Sequence, residues 1–259
     1  MISHRGVRLY SQSFGAGFPV IILHGLLGSS DNWQPVARKL AGHFQVHTLD
    51  LRNHGRSPHA DEFNYDVMCG DLREFMQTHQ LPRCHVVGHS MGGKIAMHFA
   101  LNFPGHVAKL VIVDIAPRAY PPHHGQIFNA LLSLDLNLFK TRDEISQALA
   151  ASISDGALRQ FLLKNVGRDD SAAFRWKMNL PAIHRNYSKL NEAVRTVSHF
   201  DGPTLFIRGS KSTYLTDSDC DDLKRPFPAS RFATVQEAGH WVHSDAPATF
   251  LALLIDFLR

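Results

Sequence analysis

The sequence has no long apolar segment and few cysteines, and each absence excludes a class of protein. No stretch approaches the ~20 consecutive apolar residues that a membrane-spanning helix needs, and residues 1–19 lack the apolar centre of a signal peptide. The three cysteines, Cys69, Cys84 and Cys220, lie far apart and form no Cys-x-x-Cys pair. We therefore expect a cytoplasmic protein in a reducing compartment, with no membrane contact.

The sequence also lacks a concentration of charge of either sign. The formal net charge is +4, but Lys and Arg are scattered and form no basic run, so nucleic acid is not an expected partner. His123 and His124 are adjacent but have no matching carboxylate spacing, and no nucleotide or flavin motif occurs, so we expect neither a metal nor a cofactor. What remains is a chain of 259 residues, 44% hydrophobic, which suffices for one sizeable core.

Strand-like apolar segments alternate with helical patterns, which predicts an α/β domain with a mostly parallel sheet covered by helices on both faces. The strand-like segments lie near residues 7–13, 20–23, 44–49, 84–88, 110–114, 203–208 and 231–235. The clearest helical patterns cover 66–79, 94–103 and the segment from Pro247 onward. Between Asp114 and Pro203 only amphipathic helical patterns remain, without a convincing strand. We therefore expect a core of residues 1–115 and 200–259 and a helical cap of residues 116–199.

The segment around Ser90 carries the strongest functional signal. The β-branched Val86 and Val87 lead into Gly-His-Ser-Met-Gly, and a helical pattern follows. A Gly-x-Ser-x-Gly turn between a strand and a helix is typical of a nucleophile elbow, in which Gly88 and Gly92 remove Cβ atoms that would collide. Ser90 is therefore the expected nucleophile.

A serine nucleophile needs a histidine base, and His240 is the expected one. It lies C-terminal to Ser90, on a loop between an apolar strand and the last helix, and Gly239 before it frees the backbone to swing. Among the 17 histidines of the chain, only His243 shares this loop.

The base needs a carboxylate to orient it, and Asp114 is the expected acid. It ends the apolar run Leu-Val-Ile-Val, at the edge where open parallel sheets place their chemistry. Asp217 and Asp219 remain the alternatives.

An oxyanion hole requires two backbone N–H donors, which we expect at Met91, after the nucleophile, and at Leu26, in the His-Gly-x-x-Gly loop after an early strand. His24 in that loop is expected to organise it. Trp241, beside the base, is the expected wall of the substrate pocket. Several apolar residues of the cap could line an acyl pocket, but we expect most of them to pack the cap onto the core: Phe128, Leu131, Leu132, Phe161, Leu162, Phe174, Trp176 and Met178.

These motifs together resemble the α/β-hydrolase superfamily over essentially the whole chain. The resemblance rests on residues 24–26, 50–57, 88–93 and 239–241, and is closest to the bacterial YbfF-type esterases and the abhydrolase-domain-11 group. It implies an α/β-hydrolase fold and a serine esterase that forms an acyl-enzyme with small to medium acyl esters, its small-molecule substrates.

The resemblance also implies an unusual position for the acid. In most members of the superfamily a carboxylate follows the strand after the cap, but Ser212 occupies that position here. In the abhydrolase-domain-11 group the acid is thought to follow the earlier strand, which agrees with Asp114. Asp50, Arg52 and His54 are expected to hold a loop together.

The same triad also supports thioester, lactone or carbon–carbon bond hydrolysis and perhydrolysis, and the fold can serve as a receptor or scaffold without catalysis. Chain length of the substrate and oligomeric state do not follow from the sequence.

Overall fold

A twisted sheet organises the molecule, which the computed structural model describes for residues 6–194 and 198–259. Within these residues the sheet has seven strands in the order β1-β3-β2-β4-β5-β8-β9, and all neighbours pair in parallel except β1, which is antiparallel to β3. Their bounds are β1 (Ser11–Phe14), β2 (Pro19–Leu23), β3 (Gln45–Leu49), β4 (Cys84–His89), β5 (Val107–Val113), β8 (Thr204–Gly209) and β9 (Ser230–Val235). Each strand matches a predicted segment, although β1 begins later than expected.

Helices cover both faces of this sheet. They are α1 (Gln34–Leu40), α2 (Tyr65–Thr78), α3 (Met91–Asn102), α9 (Asp217–Leu223), α10 (Val242–Asp245) and α11 (Pro247–Leu258). Neighbouring strand residues point to opposite faces, so Val86 packs with α2 and α3 while Val87 packs with α1 and α11. In the described part of the chain, no helix is long and apolar enough to span a bilayer.

The segment between β5 and β8 forms a separate group of elements. It contains α4 (Gly125–Leu132), α5 (Arg142–Ala150), α6 (Gly156–Leu163), β6 (Val166–Arg168), β7 (Phe174–Trp176), α7 (Leu180–Arg185) and α8 (Tyr187–Asn191). The expectation that it holds no strand is wrong, because β6 and β7 pair antiparallel. Each strand has three residues, too few for a period-two pattern to be recognised. That the segment acts as a cap stays a prediction.

A buried ion pair ties the loop after β3 to α2. Arg52 Nε lies 2.5 Å from Asp71 Oδ2, and the two side chains are 4% and 1% exposed. A second Arg52 N–H donates to the other Asp71 oxygen at 2.6 Å, so the contact is bidentate. This pair anchors the loop after β3 to α2, as expected of Arg52.

We predict that Asp71→Asn lowers the free energy of unfolding by about 3 to 5 kcal/mol, because it leaves the buried Arg52 guanidinium without a counterion. Urea denaturation measures the change. Asp61→Asn is the matched control, since the Arg185–Asp61 pair is exposed and its loss is expected to have no measurable effect. Equal effects of the two substitutions would contradict the importance of the buried pair.

Candidate active site

Ser90 lies on a strained turn between β4 and α3. Its φ of 53° and ψ of −119° are unfavourable for a residue with a side chain. The turn is tight because Gly88 and Gly92 approach other backbone closely: a Cβ at Gly88 would lie 2.3 Å from the Gly92 carbonyl oxygen, and one at Gly92 would lie 2.4 Å from that of Leu23. The predicted elbow is therefore present, and it places the half-buried Ser90 at the carboxyl edge of the sheet.

Asp114 occupies the equivalent position on the neighbouring strand. His89 of β4 pairs with Val113 of β5, so Ser90 and Asp114 are the next residues along two adjacent strands. The Ser90 N–H donates to the Val113 carbonyl at 3.1 Å, and the Asp114 N–H donates to Ile207 at 2.8 Å. Asp114 also has a positive φ, 53°, and its side chain is completely buried.

Three donors satisfy the buried Asp114 carboxylate. His240 Nδ1 lies 2.7 Å from Oδ2, the Gly209 N–H donates to Oδ1 at 3.1 Å, and the Ser212 hydroxyl donates to Oδ2. Because an ionised carboxylate only accepts, the proton of the neutral imidazole lies on Nδ1 and Nε2 is left as a base. The structure thus brings Asp114 and His240 together as predicted, and Ser212 contributes a hydroxyl where most of the superfamily has the acid.

The two alternative acids point elsewhere. Asp217 forms an ion pair with Arg208 and its side chain is 92% exposed. Asp219 pairs with Arg118 at 2.9 Å and accepts from the N–H of Thr216, which caps α9. Within the described residues neither carboxylate contacts His240, so the geometry favours Asp114.

Two aromatic residues that are not among the predicted site residues contact His240, one at its ring and one at its backbone. Tyr214 stacks on it with ring centroids 4.0 Å apart, and His89 donates from Nε2 to the His240 carbonyl at 2.9 Å. The positive φ of this loop occurs at Glu237, 62°, and not at Gly239. That Gly239 frees the backbone to swing stays a prediction.

No hydrogen bond joins Ser90 Oγ to His240 among residues 6–194 and 198–259, although both line one pocket. The distance between a nucleophile and its general base commonly shortens when substrate binds. His243, the other histidine of the loop, is buried and stacks on Trp33 at 4.1 Å. Burial lowers the pKa of His243 to about 3, which keeps it neutral.

The loop after β2 lies against the elbow, as an oxyanion hole requires. A methyl group on Gly25 would lie 3.2 Å from Ser90 Cβ. The N–H of Leu27 is paired with His54 Nε2 at 3.2 Å, whereas the N–H of Leu26 has no acceptor within the part of the chain described. Met91 is the first residue of α3, so its N–H has no helical acceptor. Both expected donors are thus unpaired beside Ser90.

Buried histidines fix the shape of this loop. His24 donates from Nδ1 to Gly25 O at 2.8 Å and accepts from the Leu51 N–H at 3.0 Å. Burial lowers the pKa of His24 to about 4, so the ring stays neutral and keeps both contacts. Asp50 accepts from the N–H groups of Ser30 and Arg56. These contacts match the organising roles expected of the 24–28 and 50–57 segments.

A largely apolar pocket of about 710 Å³ opens over Ser90 and His240. This volume is within the range of small-molecule sites. Trp241 lines this pocket as expected, and the centroids of the Trp241 and Phe161 rings lie 5.6 Å apart. Of the cap residues considered for an acyl pocket, only Phe161 and Leu162 line it. The other six lie elsewhere, most of them in the core: Phe128, Leu131, Leu132, Phe174, Trp176 and Met178.

Several contacts of the site carry no local sequence signal. Ser212 and Tyr214 lie on the loop after β8. The family pattern predicts a carboxylate at the position of Ser212 and gives no role to Tyr214. His89 is part of the elbow motif, but its bond to the loop of His240 spans 151 residues. Among the described residues, no group of three or more His, Cys, Asp or Glu side chains is arranged to hold a metal ion.

Comparison with known proteins places this geometry in a family. A model of the alpha/beta hydrolase fold matches residues 19–247, and the chain therefore belongs to that family. Similar curated proteins include the sn-1-specific diacylglycerol lipase ABHD11 of Mus musculus, 36% identical over 92% of this chain and 80% of that protein. Esterase YbfF of Escherichia coli (strain K12) is 32% identical over 93% of both chains.

A solved structure shows the same similarity. The "Marine microorganism esterase" superposes with a TM-score of 0.95 at 40% identity, covering 97% of this chain and 100% of the other. The predicted resemblance to the YbfF-type esterases, the α/β-hydrolase fold and the carboxylic ester hydrolase class are confirmed.

We predict that Ser212→Ala lowers kcat by about 10-fold with little change in KM, because the buried Asp114 carboxylate loses one of its hydrogen bonds. Steady-state ester hydrolysis measures it. Ser210→Ala is the matched control, since Ser210 lies in the same turn and its hydroxyl accepts from the Glu237 N–H without contacting Asp114. A Ser212→Ala variant as active as this control would show that the Ser212 hydroxyl does not support the Asp114 carboxylate in catalysis.

Proposed function

We propose that this protein hydrolyses carboxylic esters by transferring the acyl group first to Ser90 and then to water. One observation carries the proposal: the base His240 is held by the buried Asp114 at 2.7 Å and faces the pocket that also exposes Ser90. A neutral imidazole with its proton on the aspartate side is the form that accepts a proton from a serine hydroxyl.

The proposed reaction has two steps. His240 Nε2 takes the proton of Ser90 as Oγ attacks the ester carbonyl, and the N–H groups of Leu26 and Met91 stabilise the oxyanion. His240 then donates this proton to the leaving alcohol, and the acyl group remains on Ser90 as an acyl-enzyme. A water molecule attacks the acyl carbonyl while His240 Nε2 takes its proton. The acid is released as His240 returns the proton to Ser90 Oγ. Throughout, Asp114 fixes the tautomer of the ring and stabilises its protonated form.

The pocket supports small to medium acyl esters as substrates. Its walls come from the core at Val36 and Trp241 and from the insertion at Ile127, Leu158 and Phe161. Because residues 116–199 supply part of the wall, they are proposed to act as a cap over a core of residues 1–115 and 200–259. All three cysteines are free thiols, which suits the proposed cytoplasmic location.

We predict that Asp114→Asn lowers kcat by about 10³- to 10⁴-fold without unfolding the protein, because the amide no longer selects the productive tautomer. Hydrolysis of a butanoyl ester measures kcat, and circular dichroism reports the fold. Asp217→Asn is the control and is expected to retain full activity. A fully active Asp114→Asn variant would transfer the acid role to Asp217 or Asp219.

The double variant Asp114→Asn/Ser212→Asp sharpens this test. The Ser212 hydroxyl reaches the Asp114 oxygen that contacts His240, so a carboxylate at position 212 lies near Nδ1. We expect it to recover at least about 10-fold of the lost kcat. No recovery in a folded double variant would show that the orientation of the carboxylate at position 114 is irreplaceable.

We predict that Leu158→Trp lowers the ratio of octanoyl to acetyl ester hydrolysis, compared as kcat/KM, by about 10-fold, because the larger ring narrows the pocket. Leu158 is half-buried and lines the pocket, whereas Leu138 is 76% exposed and lies outside it. Leu138→Trp is therefore the matched control. An unchanged ratio in Leu158→Trp would place the acyl chain elsewhere.

A further inference from the structure

A second, smaller cavity adjoins Ser90 on the side of α3. Its volume is about 40 Å³, which is room for a few heavy atoms. Leu26 and Ser90 line both this cavity and the large apolar pocket, so the two spaces meet at the nucleophile. An ester held at Ser90 can therefore place one half in each space.

Lys94 is the charged residue of this small cavity. It lies one helical turn after Ser90, with its N–H donating to the Ser90 carbonyl at 3.1 Å, so both residues lie on the same side of α3. Its side chain is buried, at 2% exposure, in a helix whose inner face is otherwise apolar. Among the described lining residues no other side chain is Lys, Arg, Asp or Glu.

The Lys94 ammonium has too few partners for its burial. Nζ donates to the Glu192 carbonyl at 2.6 Å and lies 4.9 Å from the centre of the Tyr120 ring and 5.8 Å from that of the Tyr65 ring. Within residues 6–194 and 198–259 no carboxylate lies within ion-pair distance of it. An ammonium has three N–H donors, so two of them have no hydrogen-bond acceptor in the part of the chain that the structure describes. The charge of the Glu192 carboxylate favours the charged form of Lys94 and raises its pKa, but this carboxylate forms no ion pair with Nζ. A buried cation without a carboxylate in direct contact is costly, and a bound anion would offset that cost.

The tyrosines that line the small cavity do not provide an anionic partner for Lys94. The hydroxyl of Tyr65 donates to the Leu190 carbonyl at 2.6 Å, and that of Tyr120 donates to the Tyr214 carbonyl. The nearby Arg118 is paired with Asp219. Burial, followed by the charge of Arg118, lowers the pKa of Lys94 to about 8, so the ammonium form prevails at neutral pH.

We propose that the Lys94 cavity binds a carboxylate of the substrate, so that the preferred esters carry a short carboxylate-bearing half in this cavity and an apolar half in the large pocket. This inference rests on the proposed function and names the substrate class of that same site. A carboxylate has three heavy atoms and accepts two hydrogen bonds side by side, which fits both the small volume and the two unpaired donors.

The test compares esters with their uncharged isosteres. In each of two pairs of esters, an isopropyl group replaces the carboxylate. The first pair, monobutyl succinate and butyl isocaproate, carries this change in the acyl half. The second pair, butanoyloxyacetate and isobutyl butanoate, carries it in the alcohol half. We expect Lys94→Met to lower the charged-to-uncharged ratio of kcat/KM in at least one pair by about 10- to 100-fold, the range of a charge-assisted hydrogen bond.

Lys109→Met is the matched control. Lys109 Nζ also donates to a backbone carbonyl, that of Phe257 at 2.8 Å, and lies 5.7 Å from the centre of its ring, but it lines neither cavity. We expect this variant to keep both ratios. Loss of a general packing contact would lower kcat/KM equally for both esters of a pair. Loss of a carboxylate site would lower kcat/KM mainly for the charged ester.

Unchanged ratios in folded Lys94→Met overturn the inference and leave the proposed function intact. If folded wild-type protein hydrolyses none of the four esters, the proposed function itself fails. Should Lys94→Met not fold, inhibition of butyl isocaproate hydrolysis by succinate and by succinamide decides the matter in the wild-type protein. Stronger competitive inhibition by succinate supports the inference, and equal inhibition overturns it.

Discussion

The buried carboxylate of Asp114 is the constraint on which the candidate site depends. A charge with no solvent exposure must be hydrogen-bonded, and its three donors come from different parts of the chain. Gly209 ends β8, Ser212 lies on the following loop, and His240 lies on the loop after β9. One side chain therefore fixes two loops and the orientation of His240, the proposed base, at the same edge of the sheet.

Close backbone packing provides the second constraint. The elbow brings α3 so near to β4 and β2 that side chains are excluded at Gly88 and Gly92, and the resulting strain at Ser90 is held by the surrounding sheet. His24 and His54 hold the opposite loop through neutral ring nitrogens. The N–H groups of Leu26 and Met91, the proposed oxyanion donors, therefore lie on a loop and a helix end that other contacts hold in place, as electrostatic stabilisation of an oxyanion requires.

Local signals explain which features could be predicted from the sequence. The seven strands and the elbow follow from apolar runs and from glycines next to Ser90, and Asp114 follows from its place at a strand end. The hairpin of β6 and β7 cannot be predicted in this way, because strands of three residues are too short to show a period-two pattern. The stacking of Tyr214 on His240 and the burial of Lys94 depend on residues that only folding brings together.

Labelling with a fluorophosphonate probe tests directly whether His240 activates Ser90, since the probe needs no knowledge of the substrate. Intact mass and peptide mapping locate the adduct. We expect one adduct per chain, on Ser90, which is lost in His240→Ala. No adduct on folded protein whose pocket admits the probe, or equal labelling in His240→Ala, would contradict it.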